Sequence, residues 1–208
     1  MVNNFEHCKS FSNKQLDNSK QFANLIRNGS FEELSNEKPA NGMADWNATG
    51  LKDWSVWRKL NVCEYGIAKG AGVNGSTCIY VGSETTPKDT TGEIVGGLPN
   101  RQRETVVFLQ SPSLQIGESY VIRLKTRVDN VREGRPHLAI RWRNAKNDGW
   151  ELHHDLSFIA EPRVPGEWTT LEGFFTVPNN TAGISLQIGS TDTRGRVYFD
   201  DVELYKVE

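Results

Sequence analysis

Hydrophobic and polar residues alternate with a period of two along most of the chain after residue 24. The clearest stretch is SYVIRLKTRV (119–128), where apolar residues and three cations fall on opposite sides. HLAIRWRN (137–144) repeats the pattern. This alternation, broken by turn residues, predicts about eight or nine half-buried strands. The segments predicted as strands include 77–83, 104–110, 119–128, 137–144, 168–178, 183–190 and 196–205.

Helical periodicity is hard to find in the same region, while 19 glycines and 8 prolines supply turns. Short strands at this spacing predict an all-β fold, a two-sheet antiparallel β-sandwich or jelly roll. Residues 1–23 are polar and are expected to form a linker or tail, and 24–208 the sandwich domain. Residues 84–101 are predicted to form one long polar loop.

The net charge of −2 gives no global attraction to nucleic acid or to an anionic membrane. No apolar run approaches the roughly 18 residues of a membrane span, so membrane insertion is not expected. The first 20 residues lack the apolar core of a signal peptide. Three cysteines do not make a disulfide framework; Cys63 and Cys78 would pair only if their strands are neighbours, and two buried thiols are the alternative.

Six tryptophans are many for 208 residues. Alternation assigns Trp142 to the core, and Trp168 is expected in the core or at its rim. Trp54 and Trp57 should lie on opposite faces of a strand, with Trp57 the exposed one. Two more are expected in loops, where either could flank a groove; they are Trp46 and Trp150.

The outward side of the middle strands is rich in cations. If the alternation holds, five of them share one sheet face with Ser185 and Gln187; they are Arg123, Lys125, Arg127, Arg141 and Arg143. One hypothesis is a groove for a glycan that carries carboxylate or sulfate groups. The alternative is a solvated face whose cations pair across strands with acids, each pair contributing about 0.2–1 kcal/mol. The acids named for that alternative are Glu104, Glu118 and Glu172.

Four short motifs occur in a recognisable order. They are NLIRNGSFEE (24–33), GEWTTLEGFFTVP (166–178), GISLQIG (183–189) and GRVYFDDVELY (195–205). In this order they resemble the jelly-roll carbohydrate-binding modules of families four, nine, sixteen and twenty-two, which are galactose-binding-domain-like. The resemblance covers about residues 24–206. It implies a non-catalytic module that binds a polysaccharide, as a monomeric domain of a larger, extracellular or cell-surface, glycan-degrading protein.

The same resemblance implies a structural calcium ion that joins the opening segment to the last strand. The ligands it implies are the Ser30 carbonyl, the Glu32 side chain, the Gly75 carbonyl and the Asp200 side chain. Hard oxygen donors of this kind are what calcium prefers. Asp200 and Asp201 alternate in direction, so at most one of them can point at the site. The alternative is that Glu32 and Asp200 are solvated carboxylates at strand ends.

In this family the open face of one sheet is a common binding cleft. Aromatic rings stack on sugar faces, and planar polar groups read hydroxyls. The residues expected to bind carbohydrate are therefore Trp57, Arg123, Arg141, Arg143, Trp150 and Gln187. A catalytic jelly roll, a glycoside hydrolase or polysaccharide lyase in which His153 and His154 hold a metal or act as base, is one alternative. A protein-interaction or adhesion domain is another.

Overall fold

The computed structural model describes residues 23–36, 46–48, 50–59, 64–82, 94–95, 98–99, 105–144, 156–159 and 164–207. Within these ranges the chain is almost entirely extended, with one 3₁₀ turn at Val73–Gly75. The described strands are β1 (Trp46–Ala48), β2 (Ser55–Lys59), β3 (Tyr65–Ala68), β4 (Cys78–Val81), β5 (Ile94–Val95), β6 (Leu98–Pro99), β7 (Thr105–Gln110), β8 (Ser119–Asn144), β9 (Leu156–Ile159), β10 (Thr169–Thr176) and β11 (Thr181–Val207). No described helix is long and apolar enough to cross a membrane.

The two longest strands, β8 and β11, pair antiparallel over almost their whole lengths and form a ribbon. The half of the ribbon with residues 119–129 and 196–207 continues on one side to β10 and on the other to β4 and β3. We call this set sheet I. The other half, residues 135–144 and 181–191, continues to β9 on one side and to β7, β2 and β1 on the other. We call this set sheet II.

One hydrophobic core receives residues from both sheets. Ile122 and Leu124 of sheet I and Leu138 and Ile140 of sheet II belong to the same buried cluster. All four are at most 1% exposed. The predicted all-β, two-sheet antiparallel sandwich is therefore confirmed, and so is the predicted direction of these side chains.

The prediction of separate strands at 119–128 and 137–144 is wrong, as is that of separate strands at 183–190 and 196–205. Pairing continues across both gaps, with register shifts between Thr191 and Arg196. Asn130 and Gly195 have left-handed φ values of 52° and 102°, and a Cβ on Gly195 would lie 2.5 Å from the Asn130 carbonyl oxygen. The ribbon therefore bends with its two backbones in contact. The region 84–101 also differs from the predicted loop, since β5 and β6 pair within it.

The opening segment is fastened to the closing strand, as the motifs predict. Leu25 N donates to Leu204 O at 2.9 Å, and Val202 N donates to Gly29 O at 2.9 Å. A Cβ on Gly29 would lie only 2.1 Å from Val202 O, so the two backbones touch. Phe31 is fully buried, with its ring centroid 5.2 Å from that of Trp54. The Phe in this Asn- and Gly-rich turn therefore anchors the segment in the core.

Candidate functional site

The outer face of sheet II carries a band of apolar side chains outside the core. We call Val107, Leu109 and Ala139 the strip. They are 2%, 3% and 6% exposed, yet they are absent from the core cluster that holds their neighbours Val106 and Phe108. Strand alternation directs the strip away from the core. Alternation in 137–144 predicts the outward direction of Ala139, but it missed Val107 and Leu109 because the run VVFL (106–109) shows no polar alternation.

Polar and aromatic side chains lie around the strip in register. Trp57 on β2 is opposite Val107 on β7, and Gln187 on β11 lies between Leu109 on one side and Ala139 on the other. Trp57 and Gln187 are both half-buried. An indole and a primary amide, both partly exposed, therefore lie beside buried aliphatic side chains on one sheet face.

Two arginines extend this face along β8. Arg141 is opposite Ser185, and Arg143 is opposite Gly183. Arg141 is half-buried and Arg143 is exposed. The described outward side chains of sheet II include Ser55, Trp57, the strip, Gln187 and these two arginines, and none of the described ones is Asp or Glu. The side chains that remain accessible on this face are therefore the half-buried Trp57, Gln187 and Arg141 and the exposed Arg143, while the strip and Ser55 are buried.

The prediction that five cations share one sheet face is wrong. Arg123, Lys125 and Arg127 lie on the half of β8 that belongs to sheet I, so they are on the opposite side of the sandwich from Arg141 and Arg143. The bend in the ribbon causes this separation. Arg123 pairs with Glu172, as the solvated-face alternative expects, and Lys125 Nζ donates to Thr170 Oγ1 at 2.8 Å.

The other tryptophans divide as follows. Trp54 and Trp142 are buried in the core, at 4% and 5% exposure. Trp57 is half-buried instead of exposed, although it is more exposed than Trp54, as the alternation predicts. Trp46 belongs to a strand instead of the predicted loop, because it pairs with Trp57. Trp150 lies outside the described residues, as do His153 and His154.

A second feature forms where the opening turn meets β11. We call the loop Gly72–Thr77 together with Glu32 and Asp200 the cradle. Asp200 Oδ2 accepts hydrogen bonds from Val73 N at 2.8 Å and from Ser76 Oγ at 2.7 Å. Glu32 accepts from Thr77 N at 2.6 Å and from Thr77 Oγ1 at 2.9 Å. Two carboxylates from opposite ends of the domain are therefore held by one short loop.

The Asp200 carboxylate has no cationic partner among the described side chains. Asp200 is completely buried, and burial raises the pKa of its carboxyl, although the hydrogen bonds from Ser76, Val73 and Asp201 act against that rise. Asp201 adopts a left-handed φ of 49° at a register shift and is half-buried. Of these two aspartates, Asp200 is the one that is hydrogen-bonded to the cradle loop.

Gly72 leaves the space that the cradle needs. A Cβ there would lie 2.3 Å from Ser76 Oγ and 2.5 Å from Asp200 Oδ2. Ser30 lies in the opening turn next to Phe31, and Gly75 lies in the 3₁₀ turn with a φ of 82°. No three described His, Cys, Asp or Glu side chains are placed to share one ion, so an ion here would also need backbone carbonyls. The two carboxylates are the hard oxygen donors that calcium prefers, and carbonyl oxygens would have to complete the set.

Cys78 lies next to the cradle as a free, buried thiol. The β4–β11 pairing ends at Ile79 and Phe199, the residues adjacent to Cys78 and Asp200, and Cys78 Sγ donates to Ala68 O at 3.6 Å. Burial, then the nearby Asp200 charge, raises the pKa of this thiol to about 12. Cys63 lies outside the described residues.

Comparison with known proteins finds similarity in structure. No family model matches the sequence, and neither does any curated protein. The CBM22-1 xylan-binding domain from Paenibacillus barcinonensis Xyn10C superposes with a TM-score of 0.55 at 13% identity, over 89% of this chain and 96% of that one. TmCBM61, solved in complex with β-1,4-galactotriose, gives 0.51 at 14% identity, over 89% and 99%.

A third similar structure is the enzymatically active domain of tailspike protein 4 from bacteriophage CBA120. Its TM-score is 0.58 at 10% identity, and the match covers 88% of this chain but only 21% of the tailspike chain. At these identities the comparisons establish the fold. The chain has the jelly-roll sandwich of carbohydrate-binding modules, and the resemblance inferred from the four motifs is confirmed at that level.

Proposed function

We propose that this protein is a non-catalytic carbohydrate-binding module that binds a polysaccharide on the outer face of sheet II. The observation that carries the proposal is the half-buried Trp57, which lies beside the buried strip on the same sheet face as the half-buried Gln187 and the exposed Arg143. Modules of the same fold that bind xylan and β-1,4-galactotriose support it. In keeping with this role, the chain would act within a larger secreted or cell-surface glycan-degrading protein.

The chemistry of this face suits a sugar chain. The C–H faces of a pyranose ring pack on an indole and on aliphatic side chains. Gln187 has both a donor and an acceptor for neighbouring hydroxyl groups, and an arginine offers paired donors. Arg143 is exposed and, among the described residues, has no acid against it. A polysaccharide with carboxylate groups is therefore the ligand class that this face favours.

Affinity electrophoresis in gels with soluble polysaccharides tests the proposal. Both neutral and uronic-acid-containing polymers should be included. Trp57→Ala should weaken binding by at least about tenfold, since it removes the stacking surface. Arg143→Ala should weaken binding only to the acidic polymers, and this loss should shrink in high salt. Arg123→Ala, on the opposite face, is the matched control and should bind as wild type.

Four outcomes would contradict the proposal or a part of it. If no polysaccharide retards the protein in the gel, or if Trp57→Ala is retarded as much as wild type, then the outer face of sheet II is not the binding face. Release of reducing ends from a retained polymer would instead favour a catalytic role, the alternative that the tailspike similarity raises. Protein partners captured without any glycan would favour an adhesion domain.

The proposal includes a structural calcium ion in the cradle. Glu32 and Asp200 would supply carboxylate oxygens, and Ser30 and Gly75 would supply carbonyls. The ion would neutralise two acids that no described cation offsets and would join the opening turn to β11. At a calcium concentration about a hundredfold above Kd, the ion would stabilise the fold by about 2.7 kcal/mol. Thermal unfolding in calcium and in EDTA tests this, and equal transition temperatures would refute it.

A further inference from the structure

The Arg127 side chain links the outer face of sheet I to the cradle. Its guanidinium lies 4.3 Å from the ring centroid of Tyr198 and 5.0 Å from that of Trp168. Nη1 donates to Ala71 O at 2.8 Å, and Nη2 lies 3.4 Å from the Asp129 carboxylate. The side chain is only 16% exposed. One planar cation is therefore held between two rings and is bonded to the residue that precedes the cradle.

The cradle is anchored at both of its ends by side chains from elsewhere in the chain. Ala71 is adjacent to Gly72, whose missing Cβ makes room for the Asp200 carboxylate. At the other end, Thr77 donates twice to Glu32. Within the loop, Gly72 N donates to Ser76 O at 2.9 Å. Movement of Ala71 would therefore move Gly72 and the hydrogen bonds around Asp200.

We propose that Arg127 is a positioning residue for the cradle, which keeps the loop in its ion-binding shape before an ion arrives. The proposal rests on the calcium site proposed above. A loop that is already ordered loses less conformational freedom on binding, and this raises its affinity. Stacking between two rings suits a guanidinium better than an ammonium, because only the guanidinium is planar and forked.

The charge of Arg127 and its hydrogen bond to Ala71 O predict opposite changes in calcium affinity when Arg127 is replaced. A cation near the cradle repels calcium, so the loss of its charge alone would tighten calcium binding. The loss of the bond to Ala71 O would loosen the loop and weaken calcium binding. Arg127→Met removes both the charge and the bond, and the direction of the change shows which effect dominates.

Calorimetric titration with calcium provides the first test. Arg127→Met should raise the Kd by about tenfold, the size expected for one lost hydrogen bond to a charged group. Arg127→Lys keeps the charge but cannot reproduce the stacked fork, so it should also weaken binding. Arg123→Met is the matched control, since Arg123 is on the same strand and face at 17% exposure and pairs with Glu172 instead. Unchanged or tighter binding by Arg127→Met, or equal weakening by Arg123→Met, would overturn the proposal.

Hydrogen exchange in EDTA gives a second measurement that needs no calcium. The Val73 and Thr77 amides donate to Asp200 and Glu32. Arg127→Met should speed their exchange by about tenfold, while amides of sheet II should exchange as in wild type. Unchanged exchange at both amides would overturn the positioning role. If wild type binds no calcium but exchange still speeds up, the calcium proposal fails and the positioning of the loop by Arg127 stands.

Discussion

Replacing Gly72 by Ala should close the cradle while both of its acidic residues, Glu32 and Asp200, stay in the sequence. Gly72 has an ordinary φ of −76°, so the glycine is not required for its backbone conformation. It is required for space, because a Cβ would lie 2.3 Å from Ser76 Oγ, 2.5 Å from Asp200 Oδ2 and 2.9 Å from Ser76 C. All three distances are far below van der Waals contact. Since Ser76 C is backbone, the loop itself must move.

The cost of that movement has two parts. Forcing a methyl group into a filled site costs about 1–3 kcal/mol. Moving the loop also lengthens the hydrogen bonds from Val73 N and Ser76 Oγ to the Asp200 carboxylate, and bonds to a charged group contribute about 1.5–3 kcal/mol each. Because the loop can relax in part, we expect a loss of about 2–4 kcal/mol in the free energy of unfolding. In a domain of this size that lowers the transition temperature by roughly 5–15 °C.

Urea denaturation with and without calcium measures this prediction. Gly72→Ala should show the loss in EDTA and should gain little from added calcium, because the cradle is displaced. Gly183→Ala is the control, since its Cβ would meet nothing closer than 3.9 Å and the substitution should change stability by less than about 1 kcal/mol. Wild-type stability of Gly72→Ala in EDTA, or an undiminished calcium effect, would refute the reasoning.

Three further predictions follow from burial. Burial raises the pKa of the Asp200 carboxyl, so in EDTA the folded state binds this proton more tightly than the unfolded state. The contribution of Asp200 to the free energy of unfolding should therefore fall as the pH rises from about 3.8 through the folded pKa. Parallel profiles of stability against pH for wild type and Asp200→Asn would contradict this. Cys78, with a thiol pKa of about 12 instead of 9.0, should react with a thiol reagent at pH 8 about a thousandfold more slowly than an exposed cysteine; peptide mapping of labelled protein would reveal rapid labelling if this is wrong. Leu138→Ala removes a fully buried side chain of the core that both sheets share, and it should lower the free energy of unfolding by about 2–5 kcal/mol in urea denaturation; a loss below about 1 kcal/mol would contradict this.

The sequence predicts which way side chains point better than it predicts which strands are neighbours. Alternation correctly separates Ile122 and Leu124 from Arg123, because the direction of a strand side chain depends only on its position along the strand. It could not show that Arg123 and Arg141 lie on opposite sides of the sandwich. That separation depends on the bend in the β8–β11 ribbon, which is set by pairing with residues more than 50 positions away.

The candidate sites were predictable to different degrees. Glu32 and Asp200 were named from motifs, and the structure ties both to the same loop. Val107 and Leu109 of the strip were not predicted, because VVFL reads as an ordinary buried strand. The contact of Arg127 with Trp168 was also out of reach, since it depends on two strands meeting in register. Gly75 of the cradle loop is named by the same resemblance, and it lies in the glycine-rich run GAGVNGST (70–77) between two strands.

The shared ribbon makes the two layers inseparable. In a sandwich built from independent sheets, one sheet could unfold while the other stayed folded. Here β8 and β11 each run through both sheets. Unfolding should therefore occur as a single event, without a half-sandwich intermediate. Refolding should be slow, because the hydrogen bond from Leu204 N to Asn24 Oδ1 joins residues 180 positions apart in the sequence. Contacts between residues so far apart along the chain slow folding.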